Sequence, residues 1–145
     1  MTRATRKPHL YIAHPLTSYG TAHERACLDA IADAFREWQV IDPATRYAST
    51  GEWLAGWPKL LPTLNGLVLF ADERGTVGAG CLREIADALV LGVPIGYYTP
   101  CFGVTELAGF DLLPAAMRSA AACAWPVPGE QVDAQAWTSP VAACR

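Results

Sequence analysis

Two carboxylates bracket a run of glycines in the middle of this chain, Asp72 and Glu84 on either side of Gly75, Gly78 and Gly80. Acids in such company can share general acid–base work, or one can attack an electrophilic carbon while the other handles a proton. The glycines allow a tight turn in which main-chain N–H groups approach a ligand closely. A blander reading makes Asp72 a turn former and Glu84 a solvated helix residue, and spacing alone leaves both open. His14 and His23 are further candidates for catalysis, although an isolated histidine is more often a hydrogen-bonded structural group. Cys81, near a helix start, could be a nucleophile of lowered pKa or buried filler.

The elements that must carry these groups follow from periodicity. Leu67-Val68-Leu69-Phe70 is a short apolar run of the kind that forms a buried strand, and it ends at Ala71-Asp72. Beyond the glycines, Leu82, Ile85, Ala88 and Leu89 recur at spacings of three and four, which predicts a helix starting near Gly80 and stopping at Gly92. Val93–Tyr98 then reads as another strand. The whole is a strand–turn–helix–strand crossover of about 30 residues. Glu84 falls about one turn into the helix, where the dipole favours its ionised form.

Earlier in the chain, Leu10–His14 is strand-like and Pro15 ends it. A polar loop with Ser18 and Tyr19 follows, then a capping box, Thr21 with Glu24, opening a helix with an apolar stripe of Leu28, Ile31, Phe35 and Trp38. This loop and helix start can hold a phosphate or carboxylate above the first strand. Val40-Ile41 suggests a second strand delivering Asp42 to the same edge, although Asp-Pro is also an ordinary turn start. Ser49 with Glu52 makes a second capping box. Trp53, Leu54, Trp57, Leu60 and Leu61, interrupted by Pro58 and Pro62, predict one bent or two short helices. The two tryptophans suit either stacking on a planar base or core packing. Past Tyr98 the expectations are a helical turn over 105–110, an alanine-rich helix over 114–121 and an irregular segment over 126–145 containing Trp137. Residues 1–7 read as a polar tail.

These elements predict one α/β domain over 1–145, Rossmann-like or flavodoxin-like, with a mostly parallel sheet of four or five strands flanked by helices. A chain of 145 residues, 52% hydrophobic and 17% charged, can bury a sizeable core. Its net charge of −3 gives no reason to expect a nucleic-acid polymer as partner. The N-terminal apolar run is too short for a membrane span, so a cytoplasmic protein is expected. Five cysteines without a CxxC pair suit reduced thiols. No HxxxH spacing points to a metal, and neither GxGxxG nor a Walker lysine points to a cofactor. A homo-oligomer, dimer or higher, would give an open pocket and Trp137 a partner surface.

In three stretches the chain resembles the nucleoside 2-deoxyribosyltransferase-like superfamily, which includes deoxyribosyltransferases and N-glycosidases of nucleoside monophosphates. They are Leu10–Pro15, Gln39–Pro43, and the central set of Asp72, Gly75–Gly80, Glu84–Ala88 and Gly92–Pro94. Together they lie within roughly the first 100 residues. His14 stands where that family usually has glycine. The resemblance implies Glu84 as nucleophile or electrostatic partner at a sugar's anomeric carbon, with Asp72 orienting the ligand or assisting the departing base. Tyr11, Ser18 and Tyr19 would surround the sugar and any 5′-phosphate; His14 and Asp42, by their place at the ligand edge, and Gly78 and Gly80 of the turn complete the candidate binding residues. The implied substrate is a small nucleoside or nucleotide, and the alternative function is a catalytically silent nucleotide-binding or sensing module of the same fold.

Overall fold

The computed structural model describes residues 6–107. Five strands, β1 (His9–Ala13), β2 (Gln39–Ile41), β3 (Gly66–Leu69), β4 (Ile95–Thr99) and β5 (Gly103–Leu107), form one sheet in the order β2-β1-β3-β4-β5. The first four run parallel, and β5 returns antiparallel along β4. Helices α1 (Ala22–Ala34), α2 (Pro43–Arg46), α3 (Thr50–Leu60) and α4 (Ala79–Val90) fill the connections. This is the mostly parallel, helix-flanked α/β sheet that the periodicities imply.

Strand alternation divides the core in two. Leu10 and Ile12 of β1, with Val68 and Phe70 on and just beyond β3, pack against Cys27 and Ile31 of α1. Tyr11, Ala13, Leu67 and Leu69 point the other way, onto Trp57 of α3 and Cys81, Leu82, Ile85 and Ala88 of α4. Because side chains on a strand alternate faces, the odd-numbered Tyr11 is obliged to look toward α4. That parity builds the site described below.

Both N-caps form, and the two glutamates reach back to the N–H groups of Gly20 and Ala48, one residue before each cap. Thr21 Oγ1 accepts the Glu24 N–H at 3.0 Å, and Ser49 Oγ accepts the Glu52 N–H at 3.1 Å. Pro58 lies within α3, which remains a single helix followed by a 3-10 turn over Leu61–Thr63. It costs the helix one bond, the one an N–H at position 58 would make to Leu54 O, and α3 ends two residues later. The end of α4 is a Schellman motif: Val93 N–H reaches Ala88 O at 2.9 Å and Gly92 N–H reaches Leu89 O at 3.1 Å, with Gly92 at φ 74°. Gly92→Ala is expected to lose about 1 kcal/mol, since its Cβ meets open space but the left-handed backbone stays strained. Urea denaturation checks this, and an unchanged midpoint would contradict it.

Two expectations change here. Residues 105–107 are not a helical turn but part of β5, paired with β4 from Ile95↔Leu107 to Thr99↔Gly103. The β-branched Val104 and Thr105 favour that conformation, and hydrogen bonding to β4 completes it. Cys27 and Cys81 are buried free thiols, but Cys101 is disulfide-bonded, which departs from reduced thiols throughout. The expected helix over 114–121, the irregular 126–145 segment and Trp137 lie outside the described residues. No helix among those described is long and apolar enough to cross a membrane.

Candidate active site

The loops that follow β1, β2 and β3 meet over the carboxyl edge of the sheet and enclose a cavity of about 420 Å³. This is where open α/β sheets bind ligands, and the size suits a small molecule. The loop after β1 contributes His14, Leu16 and Tyr19 to the wall. Tyr47, Ser49 and Thr50 come from the α2–α3 corner, joined by Trp53 of α3. The glycine turn and α4 contribute Gly78, Gly80, Cys81 and Glu84.

Glu84 is buried at 4% exposure, yet it borders the cavity. Its Oε2 accepts two hydrogen bonds, one from the Tyr11 hydroxyl and one from Trp53 Nε1 at 2.9 Å. Both donors converge on the same oxygen. Burial pushes the carboxyl up from 4.5 to about 7; the Tyr11 and Trp53 hydrogen bonds oppose that rise, and the nearby Asp87 charge adds to it. The sequence expectation of dipole support is not met. Helix α4 begins at Ala79 with no acid in its first turn, which puts Glu84 in the second, where the helix field has faded. Desolvation therefore dominates. The Tyr11 phenol is driven far above its ordinary range, by burial first and then by the adjacent Glu84 charge, so it stays a donor.

His14 is also buried and lines the same cavity. Its ring stacks on Phe70 at 4.7 Å and 9°. Nδ1 lies 2.9 Å from Ser18 Oγ and Nε2 lies 2.8 Å from Asp42 Oδ1, while Glu24 Oε2 stands 3.5 Å from Nδ1. Aspartate, histidine and serine thus line up as in a hydrolytic triad, but Ser18 is 1% exposed, outside the cavity wall, and its hydroxyl donates to Pro15 O at 2.7 Å. The trio is a brace between the loop after β1 and the start of α2.

Of the residues expected at a ligand, the structure gathers Glu84, His14, Tyr19, Gly78 and Gly80 around one cavity. Tyr11, Ser18, Asp42 and Asp72 stand outside its wall. Tyr11 is fully buried and reaches a ligand only through Glu84. Ser18 and Asp42 hold His14, and Asp42 Oδ1 also caps α2 through Ala44 N–H at 3.0 Å. Asp72 is the turn former of the blander reading. Its carboxylate accepts the Thr17 hydroxyl and the N–H groups of Arg74 and Thr76, at 3.0 and 2.9 Å, so it shapes the glycine turn. His23 donates to Ala71 O at 2.8 Å, a structural tie to the end of β3.

The two tryptophans divide the roles the sequence left open. Trp57 is core, packed on Tyr11 at 4.9 Å with its Nε1 on Asp87 at 3.0 Å, whereas Trp53 borders the cavity and holds Glu84. Tyr47 went unnoticed in the sequence. Its only local signal is Gly56, where an added Cβ would sit 2.6 Å from the Tyr47 ring. Among the described residues no cluster of three His, Cys, Asp or Glu side chains is placed to hold a metal ion.

No family model matches this chain, and no curated protein matches it. Among solved structures it is similar to a conserved protein from Enterococcus faecalis V583, at 22% identity and a TM-score of 0.52. The match covers 66% of this chain and 65% of that one, so the chain spans less than two thirds of the neighbour's length. At that identity the likeness is one of fold, the mostly parallel sheet with flanking helices.

Proposed function

We propose that this protein cleaves the N-glycosidic bond of a nucleoside or nucleoside monophosphate, or transfers the sugar to a second base, with Glu84 as the nucleophile. The observation that carries this reading is the posture of Glu84. One carboxylate oxygen is held by Tyr11 and Trp53, and the residue borders a small-molecule cavity. Such a carboxylate can attack an anomeric carbon as the bond to the base breaks, giving a glycosyl ester that water or another base then resolves. Tyr11 and Trp53 keep the carboxylate in one orientation and stabilise it as it returns to a free anion.

The test is release of free base from a panel of nucleosides and monophosphates, followed by chromatography. Only the ionised carboxylate attacks, so kcat/KM is expected to rise with pH along an acid limb centred near about 7, the value to which burial lifts Glu84. An acid limb near about pH 4 to 5 would mean that Glu84 is not the titrating group. Absence of release, with a nucleoside still protecting the protein from thermal unfolding, would identify a binding module instead.

A further inference from the structure

The electrostatics of the cavity narrow the substrate beyond the glycosidase reading, on which this inference rests. Among the described residues no lysine or arginine borders the cavity. The guanidinium of Arg46 lies over the Tyr47 ring, 5.9 Å from its centre, and is not in the wall. Among the described residues, the one wall group that can carry positive charge is His14, and its nitrogens already face Asp42 at 2.8 Å and Glu24 at 3.5 Å. Glu84 is the carboxylate of the described wall, and Asp42 and Glu24, outside that wall, hold the imidazole. A 5′-phosphate would meet net negative charge, whereas a cation would be attracted. The aromatic faces of Tyr19 and Trp53 add to that preference.

Proton supply points the same way. An ordinary purine or pyrimidine departs readily only when an acid protonates it. The carboxylate of Asp72 is committed to its turn, outside the wall. The ring nitrogens of His14 are directed at Asp42 and Ser18. Burial lifts the Tyr19 phenol and the Cys81 thiol above their usual ranges, which makes both poor acids at neutral pH. Glu84 remains, and it is the nucleophile.

We infer that the substrate is a phosphate-free nucleoside whose base is positively charged through its glycosidic nitrogen, a pyridinium riboside being the simplest member of the class. Its C1′–N bond breaks with both electrons going to the ring nitrogen, so the base leaves as a neutral molecule and needs no proton. C1′ bonds to a carboxylate oxygen of Glu84. Water then attacks C1′, the carboxylate is released and one proton goes to solvent: cationic riboside and water give neutral base, ribose and H⁺.

The experiment uses the full chain with three substrates: nicotinamide riboside, its 5′-phosphate and inosine. Rates are divided by each compound's uncatalysed rate, which removes the intrinsic lability of the pyridinium bond. The expected result is an enhancement for nicotinamide riboside at least about tenfold above the other two. Calorimetry at about pH 8 adds a charge comparison without chemistry. The 1-methylnicotinamide cation should bind about tenfold tighter than neutral nicotinamide, and Glu84→Gln should shrink that ratio. Release from inosine or from the phosphate at equal or greater enhancement overturns this inference and leaves the glycosidase reading in place. Equal binding of the charged and neutral rings overturns it as well. No release from any of the three overturns this inference, and inertness toward the wider panel of nucleosides and monophosphates overturns the glycosidase reading as well.

Discussion

Glu84→Gln is expected to abolish base release, with kcat falling by about 10³-fold or more, while the protein folds and gains stability. The amide keeps an oxygen for Tyr11 and Trp53, so the local hydrogen bonds survive, but it cannot form or release a glycosyl ester. The stability gain comes from linkage. In the folded protein the Glu84 carboxyl is raised from 4.5 to about 7, with burial the main cause. Between those values the folded state holds a proton that the unfolded chain has released. Wild-type stability from this group is therefore fully present below about 4.5, declines as pH rises through about 7, and is lost above that. Glutamine has no such dependence. The melting temperature of the variant should exceed that of the wild type, and by more at about pH 8 than at about pH 5. A variant as active as the wild type would remove Glu84 from the chemistry, and a gap that did not widen with pH would deny the burial argument. The two readouts are independent.

His14→Ala is expected to give the largest loss of stability among the wall residues, roughly 2–4 kcal/mol. At about 3–4 °C per kcal/mol for a domain near this size, melting falls by on the order of 10 °C. Three contributions coincide in that side chain. The stack on Phe70 at 4.7 Å disappears, Asp42 loses its bond to Nε2, and Ser18 Oγ loses its partner at Nδ1. Glu24 Oε2, which is buried and accepts no hydrogen bond, loses its neighbour at 3.5 Å as well. Asp42→Asn preserves the cap on α2 and weakens only the charge, so a double-mutant cycle with His14→Ala isolates their coupling at about 1 kcal/mol or more. Strict additivity would show that the brace is packing alone. Activity should fall together with stability, because the brace holds the loop after β1 in the cavity wall.

Much of this architecture is written locally. The apolar runs Leu10–Ala13 and Leu67–Phe70, the spacing of Leu82, Ile85, Ala88 and Leu89, the capping pairs Thr21–Glu24 and Ser49–Glu52, and the stop at Gly92 act through residues at most a few positions apart. For that reason they could be read without coordinates. The strand β5 escaped because its order depends on β4 rather than on itself. Site residues divide along the same line. That Glu84 and His14 reach the ligand edge follows from where strands end and helices begin. Which side chains hold them does not, since Tyr11 and Glu84 are 73 positions apart and Trp53 and Glu84 are 31 apart.

The case of Asp72 shows the difference most plainly. Sequence places an acid at the end of β3 and cannot say whether its oxygens point to a cavity or back to its own turn. Thr17, 55 residues away, and the N–H groups of Arg74 and Thr76 decide it. The sequence by itself determined the α/β layout, the helix ends and the presence of a carboxylate over the sheet's ligand edge. Only the tertiary structure decided that one acid is a buried, twice-bonded group at a cavity and the other a turn brace. Secondary structure is set by short-range sterics and hydrogen bonds, whereas a polar side chain's role depends on which distant groups packing brings within about 3 Å of it.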